Sequence, residues 1–476
     1  MGAGRVNVEQ IVEEKVSLPK MPLPKELPKG HRGVLGLISE LKKILDLEPQ
    51  TVEGFVLSEY AGLPTLLVGP HGSGKTTLAR VFFSALRIGD RPLRWKYINV
   101  KEMHTEYSIY ARLHFGKLVK GEEEWVPVSI DCDAVFIDEV LRNMRVFSAL
   151  NEILEEGSFE GMKVKWKFVV CASNPPNQYY QNVSLANYAD LDRFASIIPV
   201  EDTGFSFAEK MARGESLEPS VKIDVSNIDE VRREIKAIPV SAEALNLAVL
   251  MVAAFSVCGY EDARTGSKCL IFNKFSVLSD LKCYRCVNRR HKTCPKYAVA
   301  PKRALRSLLS LAKARAWCLG RQVEAEDVAW AFAFTVPGRA AIISPEVRET
   351  VPTYRELCKA MLRDFSEWYS EVRDLILRGG DAEDPVVRAV KRFIKKERVL
   401  RGYRVVAPAE KLKRVLKYFV SRGTSIEEVT EAYERVAAGL AAEVKGALLK
   451  LRDGSLVVEV TSKEEAERLC RYLKES

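Results

Sequence analysis

The chain has 476 residues, more than one hydrophobic core usually supports, so two to four structural units are expected. Its 47% apolar and 29% charged residues exclude a largely disordered chain. The formal charge of +9 is local: residues 388–417 hold twelve Lys/Arg against Glu397 and Glu410, a net of +10, which leaves −1 for everything else.

The start Met1-Gly2-Ala3-Gly4-Arg5 shows no basic end followed by an apolar stretch, so no secretory signal is read. Residues 1–30 form an N-terminal arm in this reading, because Pro19, Pro22, Pro24 and Pro28 favour an extended course. A helical pattern covers Gly33–Leu47. Leu63–Val68 reads as a buried strand ending in a Gly-rich loop, and Thr76–Leu86 as the helix after it. Further strands are expected at Trp95–Val100, Ala134–Ile137, Lys167–Cys171 and Ile197–Val200, with helices between them. This alternation predicts an α/β unit over 31–205, a parallel sheet covered by helices on both faces.

Helices at Ala242–Val257, Lys302–Cys318 and Glu324–Phe334 predict an α-helical second domain over 206–350. The longest apolar run, Leu245–Cys258, is too short to cross a bilayer, so no membrane span and a cytoplasmic location are expected. Residues 351–476 predict a small mixed α+β module: helices at Tyr354–Leu377, Pro385–Arg398, Glu410–Ser421 and Ser425–Val444, then a hairpin over Lys445–Val460 turning at Asp453-Gly454, and a last helix after Ser462. Glutamine occurs only at 10, 50, 178, 181 and 322 while Lys, Arg and Glu abound, as in thermophile proteins.

Gly69-Pro70-His71-Gly72-Ser73-Gly74-Lys75-Thr76 fits G-x-x-x-x-G-K-[ST] between a strand and a helix, the context that a phosphate loop requires. Glycines let the backbone close around phosphate oxygens, and the helix N-terminus supplies positive potential. Lys75 reaches the outer phosphates of ATP and Thr76, followed by Thr77, ligates Mg²⁺ in this reading. The strand Val135-Phe136-Ile137 ends in Asp138 and Glu139, which places one carboxylate near the Mg²⁺ and the other where it can polarise a water. Another strand ends in Ala172-Ser173-Asn174-Pro175, whose Asn174 could hold that water or could simply form a turn.

These motifs in this order, with Leu191-Asp192-Arg193-Phe194, resemble those of AAA+ ATPases, particularly the MoxR group and its RavA-like branch, over roughly 30–345. The resemblance implies that Asn174 is the first sensor and that Arg193 is an arginine finger reaching a neighbouring subunit's nucleotide. Ala300-Pro301-Lys302-Arg303-Ala304 is similar to the second-sensor helix, with Arg303 as the phosphate-contacting lid arginine, or Lys302 or Arg306 if the register slips. Asp327 caps or starts the next helix. The family further implies a homo-oligomeric ring, a hexamer, acting as a chaperone or remodeller on a protein substrate, often with a von Willebrand factor A-type partner.

Half of the ten cysteines crowd into the lid at 258–296, where MoxR lids lack them: Cys258, Cys269, Cys283, Cys286 and Cys294. Cys283-x-x-Cys286 can clamp one metal, with Cys294 next and Cys269 preferred over Cys258 and His291 for the fourth place. Zinc leads, an iron-sulfur cluster uses the same ligands, and disulfides are the alternative. Cys132, Cys171, Cys318, Cys358 and Cys470 read as small buried apolar residues. On the basic stretch, Arg388, Lys391, Arg392, Lys395 and Lys396 share one helical surface, which could hold DNA or RNA or dock an acidic protein, or be a solvated face. A nucleic-acid-associated motor or defence component is therefore the alternative function.

Overall fold

The computed structural model describes residues 29–174, 191–201, 209–210, 212–256, 287–291, 293–342, 344–351, 353–377, 386–387, 390, 403–438, 441–445, 447–452, 454–460 and 463–474. Five apolar runs become strands β1 (Thr65–Val68), β2 (Trp95–Asn99), β3 (Ala134–Asp138), β4 (Phe168–Ser173) and β5 (Ser196–Pro199). All pair in parallel, in the order β5-β1-β4-β3-β2. Parallel strands need crossovers, and the crossover helices cover both faces, which is why these strands read as nearly continuous apolar runs.

Side chains alternate across the sheet with period two. Leu67, Phe136, Val170 and Ile198 share one core with α1 (Lys29–Leu45), α2 (Pro49–Tyr60), α3 (Lys75–Ser84) and the lid. Leu66, Val135, Ile137, Cys171 and Ile197 face the other way, into a core with Phe147 and Leu150 of α4 (Met144–Glu156). Two antiparallel pairs decorate this second side, Ala111–Leu113 with Trp125–Pro127 and Ser158–Phe159 with Met162–Lys163.

The region expected to be the lid is helical: α5 (Ile228–Ala237), α6 (Ala242–Phe255), α7 (Pro301–Cys318) and α8 (Ala325–Thr335). Ser241 caps α6 by accepting from the Ala244 N–H at 3.1 Å. Asp327 is more than the expected cap. It closes a capping box with Glu324 and, fully buried, pairs with Arg315 at 2.8 Å and Arg321 at 2.5 Å. The long α9 (Tyr354–Leu377) packs into this core through Met361, Phe365 and Trp368.

Ser256, which caps the end of α6, forms a parallel bridge with Val299, whose N–H donates to the Phe255 carbonyl at 2.9 Å. Beside it, Asn288 donates to the Ala253 carbonyl at 2.8 Å and accepts from the Trp368 indole at 3.1 Å. Asp364 takes Lys296 at 2.7 Å and the Tyr297 hydroxyl at 3.0 Å.

Residues 403–474 have their own core. Strands β6 (Tyr403–Pro408), β7 (Ala442–Val444), β8 (Ala447–Arg452) and β9 (Ser455–Val460) form an antiparallel sheet in the order β6-β9-β8-β7, packed with α10 (Leu412–Ser421), α11 (Ile426–Ala437) and α12 (Lys463–Lys474). The helix expected at Ser425–Val444 stops at Ala437, and its end is instead β7. Among the described residues no helix is long and apolar enough to cross a membrane.

Candidate nucleotide-binding site

The register aligns Val68 with Ser173 and Asn99 with Asp138, so the phosphate loop, the acidic strand end and the Asn174 strand end meet at the carboxyl edge of the sheet. Parallel sheets bind ligands at this edge, beside the point where strand order reverses. Here β1 lies between β4 and β5, and the loop leaves β1.

Gly69 sits where only glycine fits: an added Cβ would lie 2.0 Å from the Val200 carbonyl oxygen and 2.7 Å from Ser73 Oγ. Gly74 caps α3 with φ 88°, in the left-handed region that favours glycine. The Ser73 hydroxyl is buried with no hydrogen-bond partner among the described residues. A cradle closed by glycine backbone, an orphaned hydroxyl and a helix N-terminus together fit a bound polyphosphate.

Lys75 is 8% exposed and its Nζ donates to the Gly69 and Pro70 carbonyls at 2.6 and 2.8 Å and to Asn174 Oδ1 at 3.4 Å. Burial pushes its pKa down, opposed by the nearby Asp138 and Glu139 carboxylates. The Asn174 amide also lies 3.3 Å from His71 Nε2. Thr76 Oγ1 donates to Asp138 Oδ2 at 3.3 Å, and the Tyr97 hydroxyl reaches the same oxygen at 3.2 Å. A hydroxyl beside a carboxylate is a hard-oxygen pair of the kind Mg²⁺ prefers, so these residues fit that ion.

Glu139 has φ 54°, a left-handed conformation uncommon for a residue with a side chain. Its N–H donates to Asp138 Oδ1 at 2.9 Å, and its Oε2 takes Arg142 Nη1 at 2.5 Å. Nothing in the sequence pattern marked Arg142 as its partner. The strain lies at the residue read from sequence as water-polarising, as strained backbone often does at working sites.

Arg193 and Arg303 of the sequence reading lie together, both within reach of Glu155. Arg193 Nη1 pairs with Glu155 Oε1 at 2.5 Å, at the end of α4. Arg303 Nη2 is 3.6 Å from that same oxygen, and its Nη1 donates to Asp192 Oδ2 at 3.3 Å. Arg303 thus meets acidic groups of the sheet unit, and no described bond joins it to the phosphate loop. Asp192 is buried, and burial pushes its carboxyl up against the pull of Arg339 and Arg303. Arg339 itself had no motif to reveal it.

Of the cysteine residues, Cys269, Cys283 and Cys286 lie outside the described residues, as does Cys258. Cys294 is half-buried in the short helix Thr293–Lys296. Among the described residues no group of three or more His, Cys, Asp or Glu could hold a metal. Cys132, Cys171, Cys318 and Cys358 are buried as expected, with burial pushing the Cys318 thiol up to about 12, and Cys470 is half-buried. Arg388, Lys391, Arg392, Lys395 and Lys396 also lie outside the described residues. Farther along the basic stretch, Lys411 and Arg414 bond the Leu473 and Tyr472 carbonyls at the end of α12, at 3.0 and 3.1 Å. Cations there complement the helix dipole.

Residues 64–194 match the family model described as "AAA domain (dynein-related subfamily)". In fold the chain is similar to a crystal structure from Cytophaga hutchinsonii described as a "putative ATPase", with TM-score 0.53 and 17% identity, covering 70% of this chain and 94% of that chain. At that identity the likeness is one of fold. No curated protein matches the chain. Residues 64–194 thus carry the match to an AAA domain, within an α/β unit of the P-loop AAA+ fold that is followed by a helical region.

Proposed function

We propose that the chain hydrolyses ATP with Mg²⁺ and belongs to MoxR-like AAA+ proteins, RavA-like branch, working as a homo-oligomeric ring, a hexamer, on a protein partner. The observation that carries hydrolysis is the convergence of Lys75, Thr76, Asp138, Glu139 and Asn174 at one sheet edge. Backbone N–H groups of His71 to Thr77 would hold the phosphates, and Lys75, which bonds the loop carbonyls here, would supply its charge to the outer phosphate. Thr76 and Asp138 would hold Mg²⁺, which neutralises charge on the transferred group. Glu139, with Asn174, orients the attacking water. Arg193 serves the neighbouring subunit's nucleotide, where a planar fork of donors suits charge developing on the terminal phosphate, and Arg303 senses it from the lid.

Action on a protein is supported by exposed apolar side chains: Met103, Phe115 and Val119 are each more than 70% exposed. Apolar surface of this kind marks contact with another macromolecule. The described face of α11 carries exposed Glu427, Glu428, Glu431 and Glu434, a poor match for a phosphate backbone, so a nucleic-acid role is the lesser reading. A von Willebrand factor A-type partner, a cytoplasmic location and a zinc site at Cys269, Cys283, Cys286 and Cys294 complete the proposal. Metal analysis of anaerobically purified protein tests the last of these.

Two variants test the chemistry. Lys75→Ala is expected to abolish ATP binding, and Glu139→Gln to bind ATP but release no phosphate above background. Phosphate release by Glu139→Gln at the parent rate would refute the role given to that carboxylate.

A further inference from the structure

Arg193 lies on a turn whose two neighbouring residues are both held by one buried guanidinium. Arg339, 3% exposed, follows α8 in the single turn Pro337–Arg339. Its Nη2 donates to the Phe194 carbonyl and to Ser307 Oγ of α7 at 3.2 Å, and its Nη1 lies 3.3 Å from Asp192 Oδ1. The other oxygen of Asp192 takes Arg303, also on α7, at 3.3 Å.

Little slack exists on either side of this joint. A Cβ on Gly338 would lie 2.7 Å from Ile197 Cβ, so the segment before Arg339 is pressed onto β5. The Gly338 N–H donates to the Tyr354 hydroxyl at 3.1 Å, and that hydroxyl donates to the Ala333 carbonyl at 2.9 Å. Phe194 is buried and stacks on Phe147 with ring centroids 5.6 Å apart. Arg193, between the two clamped residues, keeps a partly exposed side chain that reaches Glu155.

We propose that Arg339 is a positioning residue: it fixes both chain neighbours of Arg193 to the lid, so that the lid's placement over its own nucleotide sets how Arg193 is presented to the adjoining subunit. This rests on the reading that Arg193 acts on a neighbour's nucleotide. Lysine keeps the charge but cannot span the Phe194 carbonyl, Ser307 and Asp192 with one planar fork.

The test uses the full chain in its assembled form, with Arg339→Lys compared against Arg193→Ala. Arg339→Lys is expected to leave KM for ATP within about twofold while kcat falls about tenfold or more, the pattern of an interaction made only in the transition state. Combined with Arg193→Ala it should slow turnover no further than Arg193→Ala alone, because a lost finger leaves nothing to position. Mixed assemblies with Lys75→Ala subunits, whose fingers are intact, should recover turnover for both variants. Asp192→Asn, of nearly the same shape, should repeat the pattern if Arg339→Lys fails to fold. An Arg339→Lys defect that adds to Arg193→Ala, or is not recovered in mixtures that recover Arg193→Ala, would overturn the proposal. If mixtures fail to recover Arg193→Ala itself, the shared-site reading falls first, and the positioning role with it.

Discussion

Glu59 lies in the last turn of α2, 2% exposed, with one carboxyl oxygen unpartnered among the described residues. Burial pushes its pKa up to about 8, a bond from Thr65 and the Arg232 charge only partly opposing this. The native protein therefore keeps a proton that the unfolded chain loses above about pH 4.3. Its stabilising share is complete below that pH and is lost as pH rises through about 8. The gap between the two values corresponds to at most about 5 kcal/mol, the cost of ionising this carboxyl where water is excluded. Glu59→Gln keeps the shape and removes the proton, so the variant should match the parent near pH 4.5 and exceed it increasingly up to pH 8, then hold a constant lead. Half the ceiling would raise a thermal midpoint by about 5 to 10 °C. Circular dichroism melts from pH 4.5 to 9.5 measure this. Parallel profiles for the two proteins across pH 8 would refute a neutral, buried Glu59.

Gly69→Ala should abolish nucleotide binding, because its methyl would overlap the Val200 carbonyl and cost about 1 to 3 kcal/mol or more in displaced backbone; equilibrium binding of a fluorescent ATP analogue checks it. Trp368→Ala should cost about 3 to 5 kcal/mol through the cavity it leaves and the loss of the indole bond to the Asn288 side-chain oxygen, seen as earlier thermal unfolding with nucleotide binding retained at low temperature.

The sheet was legible in the sequence because strands buried on both faces leave short, dense apolar runs, and each observed strand lies within two residues of its expected place. The phosphate loop and Asp138-Glu139 were equally legible, since each demands particular residue types at fixed spacing. Leu86 was placed in a helix yet begins the short strand Leu86–Ile88, a boundary that an apolar residue cannot mark by itself. The helical pattern over Ser425–Val444 outweighed Gly439, and the tail became β7 because Ala442, Glu443 and Val444 pair with Leu449, Leu448 and Ala447. Strand β6 has an alternating pattern too short to stand out, and only pairing with β9, distant in sequence, makes it a strand. Arg339, Glu155 and Arg142 share no local signature. Their partners lie 145, 38 and 3 residues away, and only the folded chain shows which arginine meets which carboxylate or carbonyl.

The bridge between Ser256 and Val299 has a consequence for how this lid can vary between relatives. Because α6 and α7 are joined at that bridge, and Asn288, Lys296 and Tyr297 are moored to α6 or α9, the intervening chain begins and ends at one spot on an already complete helical core. Lengthening such a segment costs only about 0.6 kcal/mol of closure entropy for each doubling. Chain that leaves and returns at that bridge can be gained, exchanged or lost while α6 and α7 stay joined.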